Sequence, residues 1–332
     1  MNAVSILAVA GLSLGLAQAQ LPDPYRNVHY LTWVVSDLDR VDTGWSELGF
    51  DKAVPLQDGV LEQDSPAGPV RLDVQVAAGR LGEYRYLRIQ PGDGNGPYSA
   101  FLERHRDGVF ALNHRFPSVA DLESEVRRLE QLGVSVLDRG RLKTPQGELT
   151  YVHMDTAREG KYVLGLVCDS GVFDNLEATS PFRMRASQYA LVVRDLNAVS
   201  AFWVGLGFPP MEVTHPALTD LTYYGEPGRF DQELGWHRHG EIAFEWIRPL
   251  RGPTTYEDSL DRHGEGFHHI AFNVEDIDAA VAYFEARGIR CSQAGGWGEK
   301  GKPGSGRFAY VDTDALGGLT VELLWNFQTG SE

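Results

Sequence analysis

Short runs in which apolar and polar residues alternate recur along this chain, separated by Gly and Pro, as in GRFAYVDTDALGGLTVELLW (306–325). A period of two predicts strands with one buried face. Between such runs lie stretches of longer period: DLDRVDTGWSELGF (37–50), SVADLESEVRRLEQLGV (118–134), DLNAVSAFWVGLGF (195–208) and VEDIDAAVAYFEARGI (274–289). Each reads as an acidic helix cap, an amphipathic helix of about three turns, and a closing Leu-Gly or Arg-Gly, the signals that start and stop helices. The expected capping acids are Asp37, Asp121, Asp195 and Asp276.

The first and third of these stretches superpose at a constant offset of 158, with Asp, Leu, Trp, Leu, Gly and Phe at identical spacing. The same offset sets RIQP (88–91) opposite WIRP (246–249), so strand ends repeat as well as helices. The chain is therefore two copies of one domain, and each copy is two copies of a smaller unit of strand, helix and three strands. The four units start near residues 28, 109, 186 and 267. The fold class is α+β, and sheets assembled from paired units curve around a shared cavity suited to a ligand.

Composition narrows the function classes. With 332 residues, 42% of them hydrophobic, there is material for two cores. A formal charge of −16 without Lys/Arg clusters argues against a nucleic-acid partner. Residues 3–17 form one apolar run that ends in AQAQ, where Ala17 and Ala19 fit an A-x-A cleavage pattern. Residues 1–19 are accordingly expected to be a cleaved signal peptide directing secretion or periplasmic export, with no membrane span after processing. Cys168 and Cys291 allow at most one disulfide, so no disulfide scaffold is expected.

The repeat and the stretch WIRPLRGPTTYEDSLDRHGEGFHHIAFNVEDIDAAVAYFEARG resemble the vicinal oxygen chelate (VOC) superfamily, in particular its glyoxalase I and methylmalonyl-CoA epimerase branch. The resemblance spans about residues 27–326 and implies four βαβββ modules paired into two domains, 27–170 and 183–327, with cup-shaped mixed sheets. In that superfamily the ligands of a metal stand on the first and last strands of each module, the first seven residues before the capping acid. By that count Asp276 leads to His269 and Asp195 to Gln188, while the last-strand positions are Glu245 in FEWIRP and Glu322 in LTVELLW. Independently of the resemblance, each of the four is a polar residue inside an apolar strand, and charged groups are seldom buried unless paired or bound to metal. The set would supply an amide oxygen, an imidazole nitrogen and two carboxylates to one divalent ion, Zn, Ni, Mn, Co or Fe.

In the first copy the matching positions are read as Tyr30, Leu87, His114 and Leu164 or Gly165, a degenerate site with a single good ligand. His114 is then a core or pocket histidine. By strand parity His269 faces the cup and His268 faces away; Asn273, on the face of His269, and either Tyr310 or Arg307 are candidate substrate contacts. WHRHGE (236–241) reads as a solvated loop, with a pocket rim as the functional reading, and GEKGKPGSG (298–306) as a lid or hairpin loop.

A bound divalent ion polarises a carbonyl, and a carboxylate beside it removes the adjacent proton. The resemblance thus implies a metal-dependent isomerase, epimerase or lyase with Glu322 as first candidate base and Glu245 as second. Its substrate would be a small oxygenated molecule, because glutathione and CoA thioesters are chiefly cytosolic. Two other readings stand beside it. One is a ring-cleaving dioxygenase, whose family pattern of two histidines and one glutamate is broken here by Gln188; the other is a metal-free binding or resistance protein. A homodimer is a further possibility, since relatives complete the cup within one chain or across two.

Overall fold

The computed structural model describes residues 21–327 apart from 57, 58, 93, 95, 175 and 178. The expected signal peptide lies outside the described residues. Among the described residues no helix is long and apolar enough to cross a membrane.

Two ten-stranded sheets follow one another along the chain, and they have the same order. In the second sheet the strands run, side by side, Glu212–Thr214, Asp231–His237, Ala243–Arg251, Arg185–Val192, Gly266–Asn273, Thr320–Asn326, Gly306–Val311, Cys291–Trp297, Leu218–Tyr223 and Glu226–Pro227. The third and fourth modules therefore share one sheet, joined where Arg185–Val192 pairs antiparallel with Gly266–Asn273. The first and second share the other, through Tyr30–Val34 and Gly108–Arg115. Each cup is completed within the chain.

One element departs from the βαβββ outline. The first and third modules carry an inserted hairpin that leaves its own module: Leu218–Tyr223 pairs with Cys291–Trp297 of the fourth module, and Val60–Gln63 with Val136–Lys143 of the second. The insertion extends the far edge of each cup.

The helix boundaries follow local chemistry. Asp37, Asp195 and Asp276 accept backbone N–H groups in the first turn, and so cap the helices Leu38–Glu47, Leu196–Gly205 and Ile277–Glu285. In the second module the cap is Ser118, which accepts from Asp121 N, so Asp121 is already inside the helix Val119–Gln131. Helix ends carry Gly49, Gly133, Gly207 and Gly288 at φ 80 to 97°, the left-handed stop that favours glycine.

One continuous apolar core lies between the sheets and draws residues from both halves, among them Trp33, Trp45, Tyr84, Tyr189, Trp203, Trp246 and Phe272. The Trp of the repeated helix motif explains part of this. Trp45 Nε1 donates to Leu316 O and Trp203 Nε1 to Gly160 O, so each helix is tied to the opposite half. The reciprocity extends to His105 and His263, each with its Nδ1 2.7 Å from the other's carbonyl. Cys168 and Cys291 are both free thiols.

Candidate metal centre

The register of the second sheet places the polar residues of the C-terminal cup. Ala190, on the strand Arg185–Val192, lies opposite Glu245 on one side and His269 on the other. Glu322, one strand further, lies opposite Ala271. Alanines at 190 and 271 hold the three long polar side chains apart while leaving the space between them free.

Within that space His269 Nε2 lies 3.2 Å from Glu322 Oε2 and 3.5 Å from Glu245 Oε2. One ligand-capable atom from each residue falls within 4.8 Å of the others, and all three residues are buried. None of these three atoms is aligned to hydrogen-bond another, and all are left without a partner. Gln188 faces the same cavity and its buried Oε1 also lacks a partner. Buried polar atoms are nearly always satisfied. Four orphans from four adjacent strands, two of them carboxylate oxygens, fit a divalent cation in donor type and charge. The cavity above them measures about 400 Å³, the size of a small-molecule site, and is walled by Trp236, Trp297, Phe308, Tyr256 and Tyr310. A wider groove of about 990 Å³ runs beside the helix Ile277–Glu285 and contains none of the four residues.

Residues 187–310 match the profile of the Glyoxalase/Bleomycin resistance protein/Dioxygenase superfamily. This segment is a domain of that superfamily. Two similar solved structures, with TM-scores above 0.5, agree on the fold. A mutant 4-hydroxymandelate synthase from Streptomyces coelicolor aligns over 91% of this chain and 92% of its own, at TM-score 0.60 and 18% identity. A xylose isomerase-like TIM barrel/4-hydroxyphenylpyruvate dioxygenase fusion protein aligns over 92% of this chain and 49% of its own, at TM-score 0.51 and 15% identity. The Mn(II)-bound glyoxalase from Novosphingobium aromaticivorans aligns over 91% and 83%, at TM-score 0.48 and 14% identity. Comparison with curated protein sequences finds no significant match.

In this glyoxalase-type domain the strand Gly266–Asn273 departs from regular pleating. Its partner residues Ala190 and Leu191 pair with His269 and Phe267, so His268 is the extra residue of a β-bulge. The expectation that His268 faces away from His269 is therefore corrected. The two rings touch, Nδ1 to Nδ1 at 2.8 Å, and both pack on Tyr310.

The N-terminal half also differs from expectation. At the offset of 158, His269 corresponds to Ala111 and not to His114, because the helix cap is Ser118 and the count from Asp121 is three residues too long. The metal positions become Tyr30, Leu87 and Ala111 by that offset and Gly165 by register, since Gly165 pairs with Asn113 as Glu322 pairs with Ala271; none of the four offers a charged ligand. The space is used otherwise. Asn113, in the place of Ala271, donates to Thr32 Oγ1 at 2.9 Å and to Tyr30 O at 3.1 Å. A side chain at Gly165, the place of Glu322, would strike the Asn113 amide. His114 lies on the opposite face, buried edge-on against Tyr25 with its Nδ1 3.0 Å from Asn27 O, and is no part of the substrate cavity.

The other expected contacts divide between cavity and surface. Asn273 and Tyr310 line the glyoxalase-type cavity. Arg307 instead forms a two-pronged pair with Asp278 on the outside. WHRHGE comprises the end of the strand Asp231–His237 and the turn after it, and it forms a pocket rim: Trp236 and Arg238 line the cavity, while His237 is buried beside Trp246 and His239 stacks on Phe244. Burial holds the His237 imidazole down at about 4. GEKGKPGSG does connect two paired strands as a hairpin loop. Residues that the sequence pattern did not single out, Tyr256, Gln232 and Trp297, complete the cavity wall. Parity along DQELGWH signals Gln232 and Trp236, since both share the face of Leu234.

Electrostatics in the triad are those of buried charge. Burial works against a charged His269, but Glu322 and Glu245 outweigh it and hold the imidazole up at about 9. Burial pushes the Glu245 carboxyl above its usual range; His269 pulls it back and the Glu322 charge raises it further. Burial, together with the two nearby carboxylates, holds the Tyr256 and Tyr310 phenols well above their usual range, so they stay neutral donors at the cavity wall.

Proposed function

We propose that the C-terminal cup binds one divalent cation through Gln188, Glu245, His269 and Glu322. On this reading the protein is a metal-dependent isomerase, epimerase or lyase acting on a small oxygenated substrate with an acidic C–H beside a carbonyl. The observation that carries the reading is the convergence of four buried, unpartnered N/O atoms at the floor of the aromatic-walled cavity. When bound, the ion would polarise the substrate carbonyl and lower the cost of the developing negative charge. Glu322 is assigned the proton transfer, as the family resemblance implies, with Glu245 the second candidate; a carboxylate next to the reacting carbon is the usual proton acceptor in such chemistry. Trp236 and Trp297 supply apolar walls that exclude water, and Asn273 offers a neutral polar contact at the cavity edge.

One histidine and two carboxylates stand at this centre, which favours proton transfer over the ring-cleaving alternative with its two histidines and one glutamate. If export is correct as well, glutathione hemithioacetals and acyl-CoA thioesters are the wrong substrates and free oxygenated metabolites the right ones. The test is solvent deuterium exchange into a panel of 2-oxo and 2-hydroxy acids by the Mn- or Zn-loaded protein, with oxygen uptake recorded in parallel. Exchange that Glu322→Gln slows at least about 100-fold, without oxygen consumption, is expected. Stoichiometric oxygen uptake with catechols, or exchange unaffected by both Glu322→Gln and Glu245→Gln, would overturn the assignment.

A further inference from the structure

The proposed centre leaves one buried, chemically capable group without a role: His268, seated in the bulge beside His269. We infer that His268 is a positioning residue that holds His269 in the tautomer whose bare Nε2 faces the metal site, an inference that rests on the metal-site reading above.

The geometry supplies each link. The two Nδ1 atoms are 2.8 Å apart, a distance at which one must donate and the other accept. Two carboxylates stand against His269 Nε2, so that nitrogen either holds a proton between them or gives its lone pair to a cation, and in both cases the ring also carries a proton on Nδ1. It follows that His269 donates from its own Nδ1, and that His268, as the acceptor, presents a bare Nδ1 and carries its proton on Nε2. With the Nδ1–H so held, Nε2 is the nitrogen that gives up its proton to a cation. Burial is nearly complete for both histidines, so water does not compete for this bond.

The first half of the chain supplies an internal control. The bulge is present there too, since Thr32 and Trp33 pair with Ala111 and Val109 and leave Phe110 as the extra residue. The bulge is thus a property of the fold. What is particular to the C-terminal half is the histidine in it: Phe110 stands where His268 stands, and Ala111 where His269 stands. The half that has no metal-binding imidazole has no partner for one either.

A hydrogen-bonded partner on the far nitrogen of a metal-bound histidine is worth about 10- to 100-fold in metal affinity. The test is Zn affinity by competition with a chromogenic chelator, for wild type, His268→Phe and His268→Asn, with thermal melting as a check on folding. His268→Phe copies the residue that the same bulge already holds in the first half. His268→Asn keeps an acceptor close to the Nδ1 position. The expected result is a loss of about 10- to 100-fold in His268→Phe and near-wild-type affinity in His268→Asn. Long-range ¹H–¹⁵N spectra of the Zn-loaded wild type should show His269 protonated at Nδ1 alone. Unchanged affinity in His268→Phe, equal losses in both variants, or a His269 protonated at Nε2 would overturn the inference. A wild-type protein that binds no Zn would instead sink the metal-site reading beneath it.

Discussion

At the floor of the C-terminal cup a buried imidazole meets two buried carboxylates, and their mutual attraction offsets part of the cost of leaving water. The His269 imidazole is raised from its ordinary value to about 9, so without a metal it is protonated at neutral pH. A metal needs that nitrogen bare. Binding must therefore expel about one proton at pH 7, and affinity should climb with pH up to about 9 and level off above it. Calorimetric titration with Zn in buffers of different ionisation enthalpy measures the release; no proton release at pH 7 would contradict the raised imidazole. The same residues mark how much could be read in advance. Gln188, Glu245, His269 and Glu322 were legible because each interrupts an apolar strand at a matched position. His268 was not, because parity assumes a regular pleat and the bulge adds a residue. His114 was mistaken for a site position because Asp121 resembles a helix cap, whereas the backbone is capped by Ser118.

The strand Arg185–Val192 illustrates how one element depends on the other half of the chain. Its backbone bulges between Ala186 and Gln188, and the freed groups converge on Tyr84 Oη from the first sheet. That hydroxyl lies 3.1 Å from the N–H groups of both Ser187 and Gln188, and 2.8 Å from the carbonyls of Gln188 and Ala271. The N-terminal half thus fixes the backbone that carries Gln188. Tyr84→Phe would strand two buried N–H donors, at a cost of about 1–3 kcal/mol. The expected result is a lower denaturant midpoint with unchanged slope; an unchanged midpoint would show that these donors find other partners. The four repeated helices, three of their caps and their terminal glycines followed from periodicity and local chemistry, whereas the helices Pro97–His105 and Thr255–Arg262 did not. The hairpins that pass from one module to the edge of the next did not. Their strands, such as Leu218–Tyr223, are short and partly exposed, and no local pattern names a partner about 70 residues away in sequence, a distance that only the closed sheet sets.

Across the whole molecule, two sheets of the same strand order enclose cups with opposite fates. Among the described residues, the C-terminal cup gathers the one group of Glu and His able to hold a metal, and the N-terminal cup fills the matching space with Asn113, Thr32 and a glycine at 165. The duplication was visible in the sequence as a fixed offset, and the loss of ligands in the first copy was visible as Tyr30 and Leu87. That the space had been closed, and by which hydrogen bond, depended on register. Reciprocal ties such as Trp45 to Leu316 and Trp203 to Gly160 then bind the N-terminal half to the other through a shared core. The central claim is that this chain holds a single divalent ion, in one cup only. Anomalous diffraction from crystals grown with Mn or Zn tests it most directly. One peak per chain is expected, at roughly 2.0–2.3 Å from a carboxylate oxygen of Glu245, a carboxylate oxygen of Glu322 and His269 Nε2, and near Gln188 Oε1, with none beside Asn113. A peak in the N-terminal cup, or no peak among these residues at full metal loading, would contradict the account.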